Sequence, residues 1–278
     1  MTLGPGAGPA SAASAVMAVA EPLTPLELPL TQIDVWLVPA TDDVTAMEKI
    51  AGHWLSAAEW ERLQSRRLPK GHAMFLLTRA VLRRLLSVYQ AGVEPGQWQL
   101  GRSAEGRPCV LGPLPAPVFN LSHTDDMLVL AFAARDQVGV DIEALDRPLE
   151  AAALARRFFS DSEFNALQAL PPPQQQDRFL RLWTLKEACV KANGQGLARA
   201  LRNFEFGFEP ALMFYPAPHE APPHHYWRLW SLTVAGLRVA LALRADNNPG
   251  APELCVRQLL WPDQVSIVSC TPDYQCGT

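Results

Sequence analysis

A chain of 278 residues with 49% apolar and 19% charged side chains can form one large domain or two modest ones, each with its own core, and has the composition of an ordinary globular protein. Its formal charge of −4 leaves no basic excess for a phosphate backbone, which excludes a general nucleic-acid binder. Five cysteines, Cys109, Cys189, Cys255, Cys270 and Cys276, form no C-x-x-C pair, so neither a zinc site nor a disulfide framework is indicated and a reduced, cytoplasmic setting is the default.

Residues 1–28 read as a disordered tail rich in Ala, Gly, Ser and Pro. Its apolar patch at Ala15 to Ala20 is too short to span a membrane and lacks the basic flank of a secretory signal. Ile33–Val38 predicts the first strand. Ser56-Ala-Ala-Glu59 is a capping-box signature and opens a helix carrying Trp60 and Leu63. Apolar residues at Phe75, Leu76, Val81, Leu82, Leu85 and Leu86 predict a long helix from about Gly71 to Tyr89. Gly92–Gly101 is loop, and Gly106-Arg107-Pro108-Cys109-Val110 is a turn. Strands follow at Val118–His123 and Met127–Ala134, and the turn at Asp136 leads into Val138-Gly-Val-Asp141-Ile-Glu143.

The pattern then begins again. Trp54–Leu63 resembles Phe158–Leu167 at an offset of 104, and the same offset sets Phe75-Leu76 on Phe179-Leu180. Two similar α/β subdomains related by pseudo-twofold symmetry are inferred, at residues 29–138 and 139–262, with an active site in the cleft between them. The second half closes with strands near Phe204–Phe208, Tyr226–Leu232, Leu237–Leu243 and Val256–Trp261, and residues 263–278 read as an irregular tail.

Two segments carry the chemistry. Phe179, Leu182, Trp183, Cys189 and Val190 fall at helical spacing, Asn193-Gly194 supplies a stop, and Glu187 and Lys191 stand four apart on one face. Taken alone this is an exposed helix pair. In the strand, alternation sends Asp141 and Glu143 to the same side, where two like charges need a basic side chain or a divalent metal. If Glu187 comes alongside, three hard carboxylates suit Mg²⁺ completed by waters and a phosphate. His219, His224 and His225 lie in a proline-broken loop without ligand spacing and read as structural.

Four blocks in order, Gly106-Arg107-Pro108, Phe119-Asn-Leu-Ser-His123, Gly139-Val-Asp-Ile-Glu143 and Trp183-Thr-Leu-Lys-Glu-Ala-Cys-Val-Lys191 followed by Gly194-Gln-Gly196-Leu197, resemble the 4′-phosphopantetheinyl transferase superfamily in its two-halved, Sfp-type branch. The resemblance implies transfer of the phosphopantetheine arm of coenzyme A to a serine of an apo acyl carrier protein, or of a carrier domain of a polyketide or peptide synthetase, with release of 3′,5′-ADP. By the same resemblance Asp141, Glu143 and Glu187 hold Mg²⁺, while Glu187 and Lys191 are catalytic. Coenzyme A contacts are implied for Arg62, Arg66, Arg107, Ser122, His123, Lys186 and Lys191. Arg107 stands where the family often has Lys, and Glu59 departs from a basic residue some relatives carry, so the 3′-phosphate grip is expected to differ here. A monomer without nucleic-acid or membrane partners is expected. The rivals are a metal-dependent phosphohydrolase acting on coenzyme A or a nucleotide, and a non-catalytic binder of coenzyme A or carrier protein.

Overall fold

The computed structural model describes residues 16–17, 20–65, 69–104, 106–194, 201–208 and 212–278. Short strands β1 (Val16–Met17) and β2 (Glu21–Pro22) precede β3 (Gln32–Pro39), which is followed by helices α1 (Val44–Ala51), α2 (Ala57–Gln64) and α3 (Pro69–Tyr89). A hairpin of β4 (Gln99–Arg102) and β5 (Pro108–Gly112) leads to β6 (Val118–His123), β7 (Met127–Ala133) and β8 (Gln137–Ala144). Helices α4 (Ala151–Phe158), α5 (Asp161–Gln168) and α6 (Pro172–Asn193) and the hairpin of β9 (Phe204–Gly207) and β10 (Met213–Pro216) come next. The chain ends in β11 (Tyr226–Val234), β12 (Leu237–Ala245), β13 (Glu253–Leu260), β14 (Gln264–Ser269) and β15 (Tyr274–Gly277). No helix among the described residues is long and apolar enough to cross a membrane.

The layers follow from strands that bury both faces. In β3, Ile33, Val35 and Leu37 point one way and Trp36 and Val38 the other, as period-2 alternation requires. Trp36 and Val38 meet α3 through Leu76, Val81 and Leu85, while Ile33, Val35 and Leu37 meet Val138, Val140 and Ile142 of β8. The opposite face of β8 lies under α6, whose Leu185, Ala188 and Ala192 pack beside Ala240 and Ala242. The result is helix, sheet, sheet, helix. One sheet runs β1-β14-β13-β3-β7-β6 with β2 on β14, and the other runs β15-β11-β12-β8.

The repeat is visible in the elements. Helices α2 and α5 both open with a complete capping box, at Ser56 with Glu59 and at Ser160 with Glu163, and the two serine N-caps have nearly the same backbone angles. Strands β3 and β8 have eight residues each, and the neighbour order β3-β7-β6 in one sheet matches β8-β12-β11 in the other. The α/β class and the pseudo-twofold arrangement therefore agree with the sequence.

Three boundaries differ from expectation. Residues 263–278 are not irregular: β14 pairs with β13, and β15 pairs with β11. Tyr274 and Cys276, two apart, both pack on the second core, which is why this short polar segment is held as a strand. The expected disorder of residues 1–28 does not extend through 20–28. Leu23 is buried and its amide donates to the Asp263 carbonyl at 2.6 Å, and the Leu26 amide donates to the Val88 carbonyl at 3.0 Å. Residues 1–15 lie outside the described residues. Finally, β13 runs parallel to β3, pairing Leu254 with Ile33, so the sheets do not respect a division into 29–138 and 139–262.

Candidate active site at the α6–β8 seam

Close approach of helix and strand builds the site. A Cβ at Gly139 would collide with the Ala188 carbonyl oxygen and the Ala192 amide, so glycine lets α6 settle directly on β8. Two residues further along the same face, Asp141 meets the helix and is 6% exposed. Its Oδ1 accepts from Lys191 Nζ at 2.7 Å and from Ser122 Oγ at 2.8 Å. Lys191 Nζ also donates to the Val140 carbonyl at 3.0 Å. Strand β6, helix α6 and strand β8 thus meet at one carboxylate oxygen.

Glu187, one turn before Lys191, is 4% exposed. Burial first, and then the negative charge of Asp141, push its carboxyl up to about 7, with Glu143 adding to the rise and Lys191 opposing it. A carboxyl that holds its proton to near neutrality is suited to proton transfer. Glu143 is also raised by burial, while its hydrogen bond from Arg147 draws it down.

The donor set suits a hard divalent cation. Asp141 Oδ2 is buried without a hydrogen-bond partner, while Oδ1 of the same carboxylate is paired with Lys191, and an unpartnered buried oxygen is costly. The carboxylates share one electrostatic neighbourhood, but they do not close into the ligand cluster expected from the sequence. Among the described residues no group of three or more His, Cys, Asp or Glu side chains is gathered as a metal site. Like carboxylates repel, and each takes the nearest base: Asp141 turns to Lys191 and Glu143 to Arg147.

Beside this seam lies a basic pocket of about 460 Å³, lined by Arg62, Arg79, Arg102, His123, Thr78 and Phe75 among others. Arg62 and His123, expected to contact coenzyme A, are brought together here. Arg79 and Arg102 were not anticipated. Burial lowers the proton affinity of Arg79; Glu59 opposes this at 3.6 Å, and the charges of Arg83, Arg62 and Arg102 press it down further. Such a concentration of guanidinium groups has the chemistry to take up phosphate. A signal existed in the sequence, since Arg79 and Arg83 stand four apart on one helix.

Other expected contacts are placed differently. Lys186 is fully buried and cannot reach a substrate. Its Nζ pairs with Glu163 at 2.8 Å and donates to the carbonyls of Leu201, at 3.0 Å, and Phe204. This corrects its assignment to coenzyme A: one residue along a helix is a rotation of about 100°, which turns Lys186 away from the face of Glu187. Arg107, just ahead of β5, reaches across to Gln137 Oε1 and to the Ala192 carbonyl near the end of α6. Arg66 and the segment 195–197 lie outside the described residues.

Comparison with known proteins identifies the family. Residues 137–242 match the family model of the 4′-phosphopantetheinyl transferase superfamily. The 4′-phosphopantetheinyl transferase HetI of Nostoc sp. is 33% identical over 204 residues, covering 72% of this chain and 81% of that protein. The 4′-phosphopantetheinyl transferase Sfp of Bacillus subtilis is 37% identical over 99 residues, 36% of this chain and 42% of its own. A solved holo-(acyl-carrier-protein) synthase from Bacillus anthracis in complex with CoA (3′,5′-ADP) aligns with 40% of this chain and 96% of its own, at 18% identity and a TM-score of 0.35, too slight a likeness to argue from.

Proposed function

Because the chain belongs to the 4′-phosphopantetheinyl transferase superfamily, we propose that the α6–β8 seam is where it moves the phosphopantetheine arm of coenzyme A onto a carrier-protein serine, with Asp141, Glu143 and Glu187 holding Mg²⁺. One observation carries this reading: Asp141, Glu187 and Lys191 converge on a desolvated spot beside a pocket rich in arginine. The enzyme is a transferase that uses coenzyme A.

The basic pocket of Arg62, Arg79, Arg102 and His123 would bind the nucleotide phosphates of coenzyme A, which brings the pyrophosphate toward Lys191. A bound Mg²⁺ supplies Lewis acidity and charge neutralisation at the phosphoryl oxygens. Lys191, fixed by Asp141 and the Val140 carbonyl, places its ammonium where negative charge grows on the departing 3′,5′-ADP. Once ionised, the Glu187 carboxylate accepts the proton of the attacking serine hydroxyl. Ser122 keeps Asp141 Oδ1 oriented and leaves Oδ2 available for a cation. Glu143 would join Asp141 and Glu187 in holding that cation only by giving up its pair with Arg147.

The test is mass spectrometry of a panel of apo carrier proteins incubated with the enzyme, coenzyme A and Mg²⁺. A carrier gaining the phosphopantetheine mass, with the gain abolished by EDTA, is the expected result. Release of free phosphopantetheine from coenzyme A with every carrier unmodified would instead establish the hydrolase.

A further inference from the structure

Directly across the sheet from Glu143 stands a cation. Strands β8 and β12 pair antiparallel with Glu143 opposite Arg238, so the two side chains leave the sheet on the same side, beneath α6. Opposite charges so placed attract each other, and an arginine is long enough to close the gap. Arg238 does not do so. Its guanidinium is 2% exposed and is drawn away by three groups from separate parts of the chain. One nitrogen pairs with Asp177 of α6, and the other meets Asp273, ahead of β15, at 2.6 Å and Thr233 of β11 at 2.7 Å. Asp273 also accepts from the Thr233 hydroxyl, and its amide is tied to the Ser231 carbonyl at 2.8 Å. Arg181, one turn after Asp177, flanks the pair and lies 3.4 Å from Asp177 and 3.7 Å from Asp273.

The arrangement is more elaborate than the fold requires. A buried cation is costly unless its partners are well placed, and the same strand position could carry an apolar residue like Ala240 or Ala242 beside it. Glu143 meanwhile leans outward to Arg147, whose side chain is half exposed and readily displaced. The carboxylate beside the catalytic helix thus has a weak, removable partner in solvent and a strong, buried cation held out of its reach.

We propose that Asp177 and Asp273 are positioning residues for the carboxylate cluster: they restrain Arg238 so that Glu143 stays available to a divalent cation. This rests on the metal role given above to Asp141, Glu143 and Glu187. It also gives the C-terminal segment a task at the active site, because Asp273 reaches Arg238 only when the chain returns to place β15 on β11. With Asp273 neutralised, Arg238 is free to swing to Glu143 and compete with the metal for it.

The experiment measures metal binding directly on the full chain without coenzyme A, by calorimetry with Mg²⁺ and by electron paramagnetic resonance with Mn²⁺. Asp273→Asn should weaken binding of either ion about tenfold or more, the scale of one added positive charge at a partly buried site. Arg238→Gln alone should not weaken it, and Asp273→Asn combined with Arg238→Gln should return close to the wild-type affinity. Asp177→Asn serves as a second probe should Asp273→Asn fold poorly, since the Asp177 side chain is 52% exposed. Recovery in the double variant separates positioning from simple loss of structure. Unchanged metal affinity in both single Asp variants, or a double variant as weak as Asp273→Asn, overturns the proposal. A wild-type protein that binds neither ion overturns the metal reading and this inference with it, whereas carrier transfer measured in parallel reports on the reaction separately.

Discussion

Lys191 Nζ and Asp141 Oδ1 lie 2.7 Å apart, an ion pair that locks helix α6 to strand β8. The pair fixes an ammonium that would otherwise roam on four methylenes. Replacing Lys191 with Ala should lower kcat about 10²–10³-fold, the scale of one preorganised donor at developing charge. The KM for coenzyme A should move much less. Steady-state kinetics against an apo carrier measures both, and a loss confined to KM would demote Lys191 to a binding group.

Glu187 predicts a pH signature in the metal-free protein. Its carboxyl ionises at about 7 in the fold against 4.5 in a free side chain. Between those values the native state binds more protons than the unfolded chain, so its contribution to stability is full below about 4.5 and is lost as pH rises through 7. The loss is on the order of 3 kcal/mol. Glu187→Gln should flatten the decline in thermal midpoint from pH 5 to pH 8 and cost about 10²-fold or more in turnover. An unaltered pH slope would show that Glu187 is ionised throughout.

For Lys186 the expectation runs the other way. Removing one partner of a buried pair leaves the other uncompensated, so Lys186→Met should destabilise the protein by about 3–5 kcal/mol through the stranded Glu163. Coenzyme A affinity of the folded fraction at low temperature should be near normal. Denaturant unfolding and calorimetry distinguish the two effects.

Arg79 should matter for the nucleotide. Arg79→Ala should raise the KM for coenzyme A about tenfold, as loss of a charge-assisted phosphate contact implies, with a smaller change in kcat. Dephospho-coenzyme A, without the 3′-phosphate, measures which phosphate Arg79 reads.

Features encoded within a few residues were legible in the sequence. Ser56 with Glu59 and Ser160 with Glu163 announce two helix starts because both halves of a capping box lie three apart. Asp141 and Glu143 share a face because strands alternate. The role of Lys186 was not legible, since its partner Glu163 is 23 residues upstream and only the packing of α5 on α6 brings them together. Arg79 and Arg83 are visible as a spaced pair on α3, but the meaning of Arg79 depends on Glu59, Arg62 and Arg102 from other elements. The C-terminal strands escaped for a similar reason. Tyr274 and Cys276 make a weak local pattern, and their place is set by an edge of β11 that composition does not reveal.

The parallel pairing of β13 with β3 bears on how the molecule is made. Residues 32–37 leave the ribosome long before the strand that completes their sheet on that side, which begins only at residue 253. During synthesis the nascent first lobe therefore carries an open, apolar sheet edge, the kind of surface on which chains associate wrongly or chaperones engage. Pairing these two distant segments is a late event, and a cut at the repeat boundary would separate strands that share one sheet.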